Sequence, residues 1–287
     1  MYRILRKTRL SPTIHLVEVA APAVARKAEA GHFIILRLTE KGERIPLTIA
    51  DFDREKGTVT CVFQEAGKTT IELGSLREGD SISDFVGPLG TPSHIENFGR
   101  VVCVGGGVGV APVYPIARSL KAAGNEVIGI MGARTGALLF WEDRMRAVSN
   151  ALHVCTDDGS YGRKGFVTDI LKEIAEDDEK PDLCIAIGPL PMMKAVCDLT
   201  KKYNLKTLVS LNSIMVDGTG MCGSCRVTVG GETKFTCVDG PEFDGHKVDF
   251  AEMIRRSVIY RDQEKRSMEI HLNRAAHRCG CSAGGGE

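Results

Sequence analysis

Nowhere in the chain does an apolar run approach the roughly 18 residues that a membrane-spanning helix requires. The N-terminal stretch MYRILRKTRLSPT is basic but lacks the apolar core of a secretory signal. Both absences predict a soluble, cytoplasmic protein without a membrane partner. An excess of either charge is missing too: lysine plus arginine and aspartate plus glutamate number 37 each, so no net field favours nucleic acid or an anionic surface. No internal repeat is present, which excludes a solenoid. The chain also lacks a second C-x2-C knuckle, and a zinc ribbon needs two.

What is there suggests several units. The 287 residues make about two domains at the usual ~150 residues each, with room for a smaller appendage. Over residues 1–98, short alternating runs such as HLVEVAAP, GHFIILRL and GTVTCVFQ are broken by turn residues, which predicts antiparallel strands closing a small β-barrel. Over 99–209 the rhythm becomes an apolar strand followed by a helical stretch, repeatedly, as in a parallel doubly wound α/β sheet. Residues 210–248 break the rhythm with glycine and cysteine; a unit this small needs a staple such as a metal cluster. Residues 249–287 read as a charged helical extension and a disordered glycine-rich tail. The expected fold is therefore multidomain, combining barrel, α/β domain and cysteine unit.

Five cysteines, Cys61, Cys103, Cys155, Cys184 and Cys197, stand singly in apolar segments, where a reduced thiol behaves as a small hydrophobe. Three others lie in SIMVDGTGMCGSCRVTVGGETKFTC, residues 213–237, and Cys279 and Cys281 lie in the tail RCGCSAGGGE. The plant-type [2Fe–2S] spacing is C-x4-C-x2-C with a distant fourth cysteine. Counting back from Cys222 places Asp217 where the first cysteine would stand, giving the candidate set Asp217, Cys222, Cys225 and Cys237. The same four suit zinc, and a third arrangement leaves Asp217 in a turn with a ligand from elsewhere. A flavin domain upstream would favour the cluster.

The segment VVCVGGGVGVAPVYPIARSL is a strand, a glycine turn and a helix opening, the arrangement in which backbone N–H groups receive phosphates. Its candidate contacts are Gly106, Gly107, Val108 and Gly109. The G-x-G-x-x-G match is imperfect, since Val110 occupies the third glycine position, and the turn equally suits close helix–strand packing. Three more loops follow strand ends, with Arg134 in GARTG, Asp157 and Asp158 in TDDGSYG, and Gly188 and Pro189 in GPLPMM. Open α/β sheets bind ligands at such ends. Arg134 would suit a 2′-phosphate, so NAD versus NADP stays open on that residue. In the barrel, ERIPLTIAD sets Arg44 before Pro46, Leu47 and Thr48. FQEAGKTTIEL carries Phe63 and then Gly67, Lys68, Thr69 and Thr70 ahead of an apolar helical turn.

In this order, the R-x-P-L-T strand, the G-K-T-T turn and the GGGVGVAP loop resemble the ferredoxin–NADP reductase superfamily. The resemblance implies that the arginine and threonine of the first motif contact FAD and that the second turn receives its pyrophosphate. With GMCGSC and the later cysteine, the chain is similar to the iron–sulfur flavoprotein subunits serving dihydroorotate dehydrogenase. It resembles still more the small subunits of NADH-dependent ferredoxin:NADP oxidoreductases, in which an aspartate takes the first ligand position. The resemblance implies FAD, a [2Fe–2S] cluster and NAD(H) as cofactors. It also implies a larger iron–sulfur flavoprotein subunit as partner, through which ferredoxin and NADP(H) are reached by bifurcation. Electrons would run from NAD(P)H to FAD to the cluster, with no side chain acting as nucleophile or strong acid/base. A dihydroorotate dehydrogenase subunit and a non-catalytic zinc-stapled adaptor are the alternatives.

Overall fold

A computed structural model describes the backbone of residues 1–280 and the side chains through residue 273. Cys281 and the side chain of Cys279 lie outside the described residues.

The first seven strands are β1 (Tyr2–Arg9), β2 (Ile14–Ala20), β3 (Phe33–Arg37), β4 (Ile45–Asp53), β5 (Thr58–Gln64), β6 (Ser81–Ile82) and β7 (Asp84–Leu89), with helices α1 (Pro22–Lys27) and α2 (Lys68–Ser75) between them. They form one antiparallel sheet in the order β6-β1-β2-β5-β4-β3-β7. Only Ser83 separates β6 from β7, so the two ends of the sheet meet and the barrel is nearly closed. Side chains alternate across a strand. Val17 and Val19 accordingly point into the barrel with Phe63 and Phe85, whereas Ile14, Leu16 and Val62 point outward into a core shared with the next domain. Being apolar on both faces is why these strands show so little polar alternation. Each large side chain buried there adds about 1.5–3 kcal/mol.

The second domain alternates β8 (Arg100–Gly106), α3 (Val110–Ala122), β9 (Glu126–Ala133), α4 (Glu142–Val148), β10 (Ala151–Thr156), β11 (Arg163–Lys164), α5 (Val167–Glu176), β12 (Leu183–Ile187), α6 (Leu190–Lys202) and β13 (Thr207–Ser210). Its parallel strands run in the order β11-β10-β9-β8-β12-β13, which reverses direction at β8 and β12. That reversal opens a crevice beyond the strands' C-terminal ends. Burial pushes the thiols of Cys61, Cys103 and Cys197 up to about 12 and that of Cys155 up to about 11, so these single cysteines are inert filling.

The remaining strands are β14 (Arg226–Val229), β15 (Glu232–Phe235) and β16 (Glu242–Asp244), followed by α7 (Phe250–Arg256) and α8 (Arg261–Gly280). The cysteine unit does not stand apart. β14 and β15 form a hairpin, while β16 pairs antiparallel with β13 and extends the parallel sheet. Helix α7 caps the unit: Phe250 and Met253 are buried, and Glu252 accepts from the backbone N–H of Thr228 at 3.2 Å. Helix α8 runs back to the barrel, where His271 lies 3.3 Å from Glu72 of α2. Among the described residues no helix is long and apolar enough to cross a membrane.

Candidate functional site

The barrel motif and the cysteine pair share one strand. In the β3–β4 ladder Phe33 stands opposite Thr48, Ile34 opposite Leu47 and Ile35 opposite Pro46. Phe33 and Ile35 also pack in one buried cluster with Met215, Cys225 and Cys237. The R-x-P-L-T strand therefore neighbours the strand against whose side chains the cysteines pack. Arg44 reaches further, donating from Nε to the carbonyl of Val216 at 2.9 Å. Its Nη1 lies 3.9 Å from Asp84.

At the start of α2 the threonine hydroxyls serve the chain itself. Thr70 Oγ1 accepts from the N–H groups of Ala66 and Gly67, both at 3.0 Å, and Thr69 donates to Glu43. Intrahelical bonding begins with Ile71 N–H to the Gly67 carbonyl. The N–H groups of Lys68 and Thr69 lie ahead of it, pointing out of the helix as an anion requires. A Cβ on Gly67 would meet nothing within 4 Å, so this turn faces open space. Lys68 has no carboxylate partner among the described residues. Phe63 is different: its ring is 1% exposed in the barrel core, stacked on His15 at 5.6 Å. The expectation that it meets a ligand is corrected here, because its position shares the inward face with Cys61.

Around the crevice, the turns after β8 and β12 touch. A Cβ on Gly109 would lie 2.2 Å from the Ile187 carbonyl oxygen, and one on Gly106 would strike Met192 and Pro189. These glycines are therefore used for close packing. Gly107, at φ +55°, is the one whose Cβ would point into open space. Two backbone bonds stitch the β9 and β10 loops, Asp157 N–H to Ala133 at 3.0 Å and Asp158 N–H to Arg134 at 3.3 Å. Ser160 donates to the Asp158 carboxylate from both hydroxyl and N–H, holding that carboxyl below its ordinary range. Arg134, Asp157 and Asp158 are all exposed. Sequence reasoning passed over Trp141 and Tyr161, which line an open cavity of about 440 Å³ beside these loops. Tyr161 donates to Glu142 at 2.8 Å. Two aromatics next to a glycine loop were the available signal.

In the cysteine loop, Cys225 and Cys237 are buried with their sulfurs 3.2 Å apart, while Cys222 is exposed. Asp217 accepts from the N–H groups of Thr219 at 2.9 Å and Cys222 at 2.8 Å, which holds its carboxyl below the usual range. Hydrogen bonding from Ser224 lowers the Cys222 thiol. Cys225 and Cys237 thus pair through their sulfurs, and Asp217 is tied to Cys222 through that residue's backbone N–H. Two pairs suit the two irons of a binuclear cluster. Among the described residues no three His, Cys, Asp or Glu side chains gather around one point.

Residues 212–249 match the family described as the iron-sulfur cluster binding domain of dihydroorotate dehydrogenase B, and residues 103–198 match the oxidoreductase NAD-binding domain. A homolog of the dihydroorotate dehydrogenase B (NAD(+)) electron transfer subunit from Thermotoga maritima is 49% identical over 272 residues, covering 95% of this chain and 96% of the relative. The chain belongs to this family of electron transfer subunits. The Shouchella clausii electron transfer subunit is 33% identical across 84% of this chain and 94% of its own. A solved structure of an NADH-dependent reduced ferredoxin-NADP oxidoreductase, concerned with flavin-based electron bifurcation, superposes with a TM-score of 0.90. It is 47% identical, over 95% of this chain and 98% of the other. The family places FAD, an iron–sulfur cluster and NAD(H) on a ferredoxin–NADP reductase-type fold, and the donor set above fits the cluster.

Proposed function

We propose that this chain is the small subunit of a cytoplasmic, electron-bifurcating NADH-dependent ferredoxin:NADP oxidoreductase. Its partner is a larger iron–sulfur flavoprotein subunit that deals with ferredoxin and NADP(H). The observation that carries the electron path is the shared strand: β3 has Pro46, Leu47 and Thr48, just after Arg44, on its ladder and Cys225 with Cys237 against its side chains. The choice of oxidoreductase is supported by Asp217 in the first ligand position and by the 47% identity over nearly the whole chain.

Bound flavin exchanges electrons in pairs with a nicotinamide and singly with an iron–sulfur cluster, which is the link this chain needs. The protein's part is to hold and insulate. Arg44 and Thr48 orient the flavin, while the N–H groups of Lys68 and Thr69, in the turn Gly67–Thr70, and the Lys68 ammonium receive its pyrophosphate. The turn Gly106–Gly109, with Val108, receives the nicotinamide nucleotide's phosphates. Gly188 and Pro189 border its nicotinamide end, and Arg134, Asp157 and Asp158 its adenosine end. Asp217, Cys222, Cys225 and Cys237 hold the cluster. No side chain is required as nucleophile or strong acid.

Purifying the native complex tests this reading. Expected are flavin bands, iron–sulfur charge-transfer absorption and a larger flavoprotein subunit that reduces NADP. A co-purifying dihydroorotate dehydrogenase would overturn the choice, and a colourless protein with stoichiometric zinc would overturn the enzyme.

A further inference from the structure

Strand β4 breaks its own alternation. Ile49 points into the barrel and Ala50 outward, so a regular strand would send Asp51 inward beside Ile49. The β4–β5 register shifts between Ile49 and Asp51, and Phe52 returns to the inner side. Such a bulge re-aims a side chain. Here it turns Asp51 out of the barrel, onto two helices of the nucleotide domain. Asp51 Oδ1 accepts from Arg118 Nη1 of α3 at 2.8 Å, and Oδ2 faces Arg144 Nη1 of α4 at 3.4 Å.

Both guanidiniums also lie over aromatic rings. Arg118 lies over Tyr114 at 5.3 Å and over Phe52 at 6.0 Å, while Arg144 lies over Trp141 at 4.5 Å and over Tyr114 at 5.6 Å. Trp141 itself adopts φ +60°, a left-handed backbone that a bulky residue tolerates only when its surroundings enforce it. A partly exposed ion pair adds little stability. A bulge, a strained tryptophan and two stacked arginines converging on one carboxylate are better explained by geometry than by stability.

The geometry points to Asp51 as a positioning residue for electron transfer between NAD(H) and flavin. It clamps β4, which bears Pro46–Thr48 and directly follows Arg44, to the helix that opens at the Gly107–Gly109 turn. Arg144 adds the loop 134–141, which borders the crevice. Flavin contacts and nucleotide-phosphate contacts thus sit on rigid elements joined at one carboxylate. The inference rests on the function proposed above, in which bound flavin would accept a hydride, with its electron pair, from NADH and leave NAD⁺. Small displacements of reacting atoms are costly in such a step.

The test is anaerobic stopped-flow reduction of the holo-complex by NADH. Asp51→Ala is expected to slow flavin reduction about tenfold to a hundredfold at saturating NADH, with a weakened NADH–flavin charge-transfer band and unchanged flavin content. Asp51→Glu should recover more of the rate than Asp51→Asn. In the flavin-free chain, Asp51→Ala should speed amide hydrogen exchange over residues 114–118. Lys194→Ala, which removes the exposed α6 pair with Asp198, should leave the rate unchanged. An unaltered rate and band in Asp51→Ala would overturn the inference, as would equal slowing by Lys194→Ala. If Asp51→Ala does not fold, Arg144→Ala takes its place, and an unaltered rate there is equally fatal. Failure of NADH to reduce the unaltered complex would instead sink the underlying function.

Discussion

Arg44 and Val216, 172 positions apart in the chain, are joined by a 2.9 Å bond from the guanidinium Nε to the carbonyl oxygen. The arginine of the barrel motif therefore secures the residue immediately before Asp217. It can face a flavin and brace the cysteine loop together.

Removing that guanidinium should loosen both. A hydrogen bond from a charged group contributes about 1.5–3 kcal/mol, so Arg44→Ala is expected to weaken flavin retention by roughly tenfold to a hundredfold. It should also quicken cluster loss to a chelator. Flavin-to-protein ratio after gel filtration and the decay of iron–sulfur absorbance check the two effects separately. Normal flavin content would separate Arg44 from the flavin.

Asp217→Cys should keep the cluster and lower its reduction potential, because thiolate donates more electron density than carboxylate. A redox titration that is unchanged in this variant would remove Asp217 from the ligands.

Two neighbouring glycines should fail in different ways. Gly109→Ala forces a methyl against the Ile187 carbonyl and should cost about 1–3 kcal/mol, as overpacking does. Gly107→Ala has room, so its cost is the left-handed backbone, about 1–2 kcal/mol. The methyl at residue 107, however, enters the space assigned to phosphate. Thermal melting with an NADH titration separates the two: Gly107→Ala should lose more affinity than stability.

His32 is buried, accepts from the Glu29 N–H at 3.0 Å, and has its ring held below its ordinary value by desolvation. In the unfolded chain it protonates near pH 6.5, roughly its reference value. As pH falls below that value, the unfolded state takes up a proton that the folded state refuses, and stability declines until the pH passes the lower folded value. His32→Gln should flatten this acid slope. Denaturant melts at pH 7.5 and pH 5.5 check it, and an unchanged slope would exclude His32 as a source.

The strands, the doubly wound order and the cysteine loop were legible because each depends on local periodicity or spacing. The position of Asp217 needed only a count back from Cys222. Phe63 misled because β5 is apolar on both faces, which hides the face that points inward. The clamp at Asp51 was hidden by a bulge that shifts parity by one residue, and its arginines lie 67 and 93 positions away. Strand β16 was hidden for a similar reason: three residues, Glu242–Asp244, carry too little pattern, and their pairing with β13 is tertiary.

That short strand also governs how the molecule behaves toward its own copies. Leu208, Val209 and Ser210 are covered by Asp244, Phe243 and Glu242. A chain cut after residue 210 would present β13 as a bare edge, with unpaired N–H and C=O groups on which another chain could add. The segment that carries the proposed cluster ligands thus also covers that edge. A truncation at that point is expected to aggregate more readily than the full chain.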